Sequence, residues 1–148
     1  MPRSSSASRR AARETTLRVL YTLELAHSPV DEVLAETIAA NELNDDASAY
    51  AMALVQNIQE RLPSLDVAIL RHAIGYPPDK QTVVDRNILR LALAELLFPV
   101  AETPSGVIAN EAVELAKKYS TPEAARFING ILGTAIREKE DAEAITES

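Results

Sequence analysis

The stretch TVVDRNILRLALAELL, residues 82–97, decides the fold. Thr82 and Asp85 stand three apart, the spacing of a capping box at a helix start. Val84, Ile88, Leu91, Ala92 and Leu96 then recur at helical intervals and form one inward stripe. Ile88, Leu89, Leu91, Ala92, Leu93, Ala94, Leu96 and Leu97 together leave little of the circumference polar. A helix that is apolar nearly all round must be covered all round. The segment therefore reads as the central helix of a bundle, closed by Pro99.

Its neighbours carry narrower stripes. A first helix spans about Ser8 to Ala26, with Ala12, Thr16, Val19, Leu20, Leu23 and Ala26 inward. Ser28-Pro29, Thr103-Pro104 and Thr121-Pro122 repeat one start signal, a hydroxyl at the N-cap and proline at the first helical position. After the first of these, Val30, Val33, Leu34, Thr37 and Ile38 form a stripe that ends near Asn41. Asn44 to Asp46 offer caps for a third helix carrying Ala47, Tyr50, Ala51, Leu54, Val55, Ile58 and Leu62, stopped by Pro63. A short helix follows from Ser64 to about Ile74, ended by Gly75, and Tyr76-Pro77-Pro78 reads as a rigid connector. The sixth helix carries Ile108, Ala112, Leu115, Ala116 and Tyr119, and the seventh Ala124, Phe127, Ile128, Ile131, Leu132 and Ala135. Beyond Arg137 the chain turns acidic and is expected to fray. Period-two alternation, sustained heptads and solenoid repeats are all absent, so the fold class is all-α with about seven helices. The expected organisation is a flexible basic tail over 1–8, one all-helical unit over 9–141 subdivided near 76–79, and an acidic tail over 142–148.

The 148 residues include no cysteine and two histidines, His27 and His72. That excludes a thiolate nucleophile, a cysteine zinc or iron–sulfur site and a histidine-rich metal site. That removes much of enzymology, and no cofactor is expected. Uncharged apolar runs away from the N-terminus, such as Leu96 to Ala101, fall far short of the roughly 20 residues of a membrane span. A soluble cytoplasmic protein is expected.

Charge is more telling. Residues 1–20 hold Arg3, Arg9, Arg10, Arg13 and Arg18 against Glu14, a net +4, while the remaining 128 residues carry 10 basic and 21 acidic groups, a net −11. Such asymmetry suits a polyanion at the head and a basic protein on the body. Arg9, Arg10 and Arg13 fall within a single helical arc of about 100°, beside the apolar stripe, so three guanidinium groups are expected to share one small patch. Arginine suits forked phosphate contacts and stacking on bases. No later helix is strongly basic, as a DNA-reading helix would be, which makes RNA the better polyanion.

Three blocks of the chain resemble the NusB family of bacterial transcription antitermination factors. They are Arg9-Arg10-Ala11-Ala12-Arg13-Glu14 with the later Leu20-Tyr21 step; Val84 to Ala92 with Glu95-Leu96; and Asn110 to Tyr119 followed by Arg126 to Leu132. The resemblance covers nearly the whole chain, and the third block is the most specific. It implies two small helical bundles packed together and a role in binding the boxA element of nascent ribosomal RNA transcripts together with NusE, a small-subunit ribosomal protein. The implied setting is the RNA polymerase elongation complex with the other Nus factors, without catalysis. By the resemblance Arg9, Arg10, Arg13, Tyr119, Glu123, Arg126 and Phe127 are RNA-binding residues, and Tyr21, Asp79 and Asp85 meet the ribosomal protein. Stacking aromatics and cations suit single-stranded RNA, and acidic groups suit a basic partner. Ala11, Ala109 and Gly133 depart from the family's pattern, which puts more of the RNA affinity on the partner.

Several of these residues also have plain structural readings. Phe127 fits the inward stripe of the last helix, and Arg126 fits a solvated surface. Asn129-Gly130 inside a helix costs about 1 kcal/mol, which close packing of another helix would explain. Glu111 and Glu114 share a helical face, with Glu114 to Lys118 the expected ion pair. Asp45 and Asp46 read as caps, His27 as a helix-end residue, and His72 as a partly buried polar group. Three functional classes follow: the RNA-binding regulator; the RNA-binding part of a ribosomal RNA methyltransferase, to which a similar helical domain is fused; and an acidic adaptor that binds a basic ribosomal protein without recognising RNA. The reading leaves two forms of the free protein open, a monomer and a homodimer that masks the arginine patch.

Overall fold

Every segment read as helical is helical in the computed structural model, which describes residues 5–76 and 80–147. The order is α1 (Ser6–Ala26), α2 (Val30–Ala40), α3 (Asp45–Glu60), α4 (Leu62–His72), α5 (Val83–Leu97), α6 (Ser105–Tyr119) and α7 (Pro122–Glu147). There is no strand among the described residues. Helices α1–α3 pack on one another, as do α4–α7, and the two groups meet where α5 lies against α1 and α3.

The all-round apolar character of residues 82–97 has the consequence expected of it. Helix α5 packs against α1, α3, α4, α6 and α7, and Ile88, Leu89, Leu91, Leu93 and Leu96 are almost wholly buried. Its start is half of a capping box: Thr82 Oγ1 accepts from Asp85 N at 3.1 Å, but Asp85 Oδ1 is buried without a partner and does not close the box. The main core joins residues of both helix groups, and a smaller one (Val19, Val33, Leu34, Val55) seats α2 on α1 and α3.

Only one of the three hydroxyl–proline starts behaves as read. Thr121 Oγ1 accepts from Ala124 N at 3.0 Å, with Pro122 as the first helical residue. At the other two, proline is itself the N-cap: Pro29 (ψ 135°) and Pro104 (ψ 139°) remain extended, and their carbonyls accept from Val33 and Ile108. An extended proline places the preceding hydroxyl one residue too far from the first turn, so neither Ser28 nor Thr103 caps.

Helices α1 and α7 extend further toward the ends of the chain than composition suggests. Ser5 caps α1 by accepting from Ser8 N, and Ser8 Oγ accepts from Asn44 Nδ2 at 3.0 Å. Residues 6–8, read as part of a flexible tail, thus lie in α1 and are tied to the cap of α3. Leu62 belongs to α4 and not to α3, which ends at Glu60. Helix α7 does not fray after Arg137 but continues to Glu147. Glu138 holds it to α4 through His72 Nε2 at 2.8 Å and Arg71 at 3.5 Å. His72 is the partly buried polar group expected, and His27 ends α1 in the left-handed region (φ 52°).

Candidate nucleic-acid interface

The arginine face is built by the first two turns of α1 against α3, α5 and α6, and it does not present three equivalent guanidinium groups. Arg13 turns inward. It is 3% exposed and donates three hydrogen bonds of 2.9–3.2 Å to Glu95 of α5, itself 5% exposed. The hydroxyl of Tyr50 on α3 donates to the same carboxylate. Burial alone would lower the pKa of Arg13, but the hydrogen bonds and charge of Glu95 more than reverse this, so Arg13 stays protonated. Burial, reinforced by Glu95, also pushes the Tyr50 hydroxyl up, which keeps it a donor. The expected single patch is therefore corrected: Arg13, one turn further along α1 than Arg9 and between Arg9 and Arg10 on the arc, meets the buried Glu95 carboxylate where α5 crosses α1.

Arg9 and Arg10 remain at the surface. The Arg9 guanidinium lies 4.4 Å from the centre of the Tyr50 ring, a cation–π contact, and its Nη1 is 3.5 Å from Thr103 Oγ1. Buried Arg13 and Glu95 thus fix Tyr50, and Tyr50 carries Arg9. Arg10 forms a forked pair with Glu111 of α6, 3.1 Å from Nε and 2.8 Å from Nη2. Those bonds raise the already high pKa of Arg10.

Tyr119 stands at the end of α6, half-buried. Its hydroxyl donates to Glu14 at 2.9 Å and accepts from Arg18 at 3.2 Å, while Lys118 also pairs with Glu14. Burial would raise the Glu14 carboxyl, but the bonds from Lys118 and Tyr119 outweigh it and hold that group below its usual range. The expected Glu114–Lys118 pair gives way to Glu114–Lys117 at 3.6 Å, because Lys118 reaches across to α1.

Phe127 has the core role read for it. It packs against the core, and its ring lies 4.5 Å from that of Tyr76 at 48°. Arg126 and Glu123 are exposed on α7, and Arg126 joins Asn110, Lys117 and Asn129 around a groove of about 480 Å³. Gly130 faces solvent with nothing within 4 Å of where a Cβ would stand, so close packing of another helix does not explain it.

Of the residues expected to meet a protein, Tyr21 is 41% exposed beside an apolar pocket of about 380 Å³ lined by Leu17, Arg18, Thr22, Val84 and Tyr119. Asp85 is only 4% exposed. Its Oδ1 and the nearby Gln81 Oε1 are buried acceptors without donors. Asp79 lies outside the described residues. Leu25, Val67, Leu70 and Ile74, which the sequence did not single out, are more than half exposed on α1 and after it on α4 and its exit. Glu14, Tyr50, Glu95 and Glu111 also went unassigned as partners of these cations; no local spacing marks them. Among the described residues no cluster of three or more His, Cys, Asp or Glu could hold a metal ion, and no helix is long and apolar enough to cross a membrane.

A family model described as the NusB family matches residues 10–137, the span from Arg10 through all seven helices to Arg137. The chain belongs to the NusB family. Transcription antitermination protein NusB of Desulforudis audaxviator is 39% identical over 133 residues, 90% of this chain and 96% of that protein. Among solved structures, T. maritima NusB superposes with a TM-score of 0.82 at 33% identity, covering 91% of this chain and 96% of that one. A crystal structure of antitermination factors NusB and NusE in complex with dsRNA superposes at 0.80 and 33% identity, covering 88% and 96%. The NusB family is one of antitermination factors and not of enzymes.

Proposed function

We propose that this chain is a transcription antitermination factor that, together with NusE, holds the boxA element of nascent ribosomal RNA transcripts. It works in the cytoplasm on the RNA polymerase elongation complex, beside the other Nus factors, by binding alone. The observation that carries the reading is the α1 face, where Arg9 on the Tyr50 ring and Arg10 stand at the surface of an otherwise acidic protein. The similar NusB structure solved with NusE and dsRNA supports both partners.

In this reading Arg9, Arg10 and Arg126 contact phosphate, Tyr119 and Phe127 offer ring faces to bases, and Glu123 borders the path. Arg13 acts from beneath, by fixing Tyr50. Tyr21, Asp79 and Asp85 meet the ribosomal protein, where the unpaired Asp85 Oδ1 awaits a donor. A homodimer over the arginine face would compete with RNA. Fluorescence-anisotropy titrations of boxA-containing and scrambled RNA, with and without NusE, across a salt series test the reading. Preference for boxA, tightening by NusE and a log–log salt slope of about −0.7 per phosphate contacted are expected. Equal, weak binding of both RNAs, unchanged by NusE, would favour the acidic adaptor.

A further inference from the structure

The cations of this face are already engaged. Arg10 is forked onto Glu111, Lys118 pairs with Glu14, and Lys117 lies 3.6 Å from Glu114. These six side chains line one pocket of about 340 Å³ between α1 and α6, in which three positive charges face three negative ones. The arrangement is layered: the Glu111 side chain is 11% exposed and that of Arg10 59%, so the carboxylate is the floor and the guanidinium the cover. A phosphate that approaches Arg10 must take the guanidinium fork from Glu111 or share it beside a fixed negative charge. Lys118 over Glu14 repeats the problem one turn along α1.

We infer that Glu111 and Glu14 are affinity-setting residues of the RNA face, resident counter-anions that RNA phosphates must displace from Arg10 and Lys118. The inference rests on the RNA-binding reading above. It makes the free chain a weak RNA binder by construction, and it flattens the salt dependence. A carboxylate released from its cation recaptures counterions from solution, which cancels part of the counterion release that drives phosphate binding.

The test is anisotropy titration of a boxA-containing RNA with the full chain and with Glu111→Gln and Glu14→Gln, each checked for folding by thermal melting. Glu36→Gln, an exposed carboxylate on α2, controls for net charge alone. Each of the first two variants is expected to bind about two- to fivefold more tightly than the unmodified chain, the scale of one exposed ion pair. The salt slope should become more negative by up to about 0.7 per released cation. Arg10→Ala should cost more in the Glu111→Gln background than in the unmodified chain. If Glu111→Gln fails to fold, Glu14→Gln decides. Variants that bind no more tightly than the unmodified chain, or no more tightly than Glu36→Gln, overturn the inference while leaving RNA binding intact. If neither the unmodified chain nor any variant binds RNA, both readings fall together.

Discussion

Arg13 is the residue at which the arginine head stops being a surface feature. Its three hydrogen bonds to a buried carboxylate make it part of the core, so removing it leaves the buried Glu95 side chain with the Tyr50 hydroxyl but without its cation. Arg13→Ala is expected to cost about 3–5 kcal/mol in urea unfolding, whereas Arg9→Ala, at the surface, should cost about 1 kcal/mol or less. Arg13→Met with Glu95→Leu should be less costly than either single change, because no charge is then stranded. Alanines at Arg10 and Arg13 together would therefore confound RNA contact with stability. Glu14 adds a pH dependence. Its carboxyl is held below the usual range in the folded chain, so the folded state favours the ionised form. That stabilisation is fully present above the unfolded carboxyl value of about 4.3 and is lost as pH falls through the lower folded value. The melting-temperature advantage of the unmodified chain over Glu14→Gln should accordingly shrink as pH falls below the unfolded carboxyl value of about 4.3; an advantage that grows on acidification would contradict the assignment.

At the scale of elements, α7 exceeds what its composition promises. Residues 141–146 are exposed, yet Glu138 ties the helix to His72 and Arg71 of α4. Gly130 lies on its solvent face with open space around it, so the helix bears the entropic cost of glycine with no packing return. Gly130→Ala should raise stability by about 0.5–1 kcal/mol in urea or thermal unfolding. If the same change weakens RNA binding, the RNA backbone passes close to this turn of α7. The helix starts show how far local signals reach. Asn44 and Thr82 cap as read, each by a single bond to the first turn. Ser28 and Thr103 do not, because the backbone angle ψ of the following proline, free in a way φ is not, stays extended.

For the whole molecule, α5 couples the two helix groups: it packs on α1 and α3 on one side and on α4, α6 and α7 on the other. Its leucines and isoleucine share one core with α1 and α3, so the groups should not unfold separately. Urea unfolding followed by tyrosine fluorescence and by far-ultraviolet circular dichroism is expected to give coincident midpoints; separated midpoints would mean that the groups are independent. Family membership and the all-α class were legible in the sequence, and so were the central helix and nearly all of the buried stripes, from Ala47 to Ile58 on α3 and from Ile108 to Ala116 on α6. Helical periodicity is a local property, written every three or four residues, and each helix buries its apolar face whichever partner supplies the cover. The state of each cation was not legible. Arg13 and Glu95 are 82 residues apart in the chain, and Arg10 and Glu111 are 101 apart. Whether an arginine on a given arc is free, forked onto a surface carboxylate or buried depends on which helix crosses it and at what height. Sequence alone determined that the head of this protein is basic and helical; only the packing of α1 against α3, α5 and α6 decided that Arg13 is structural, that Arg9 rests on Tyr50, and that Arg10 comes with its own counter-anion.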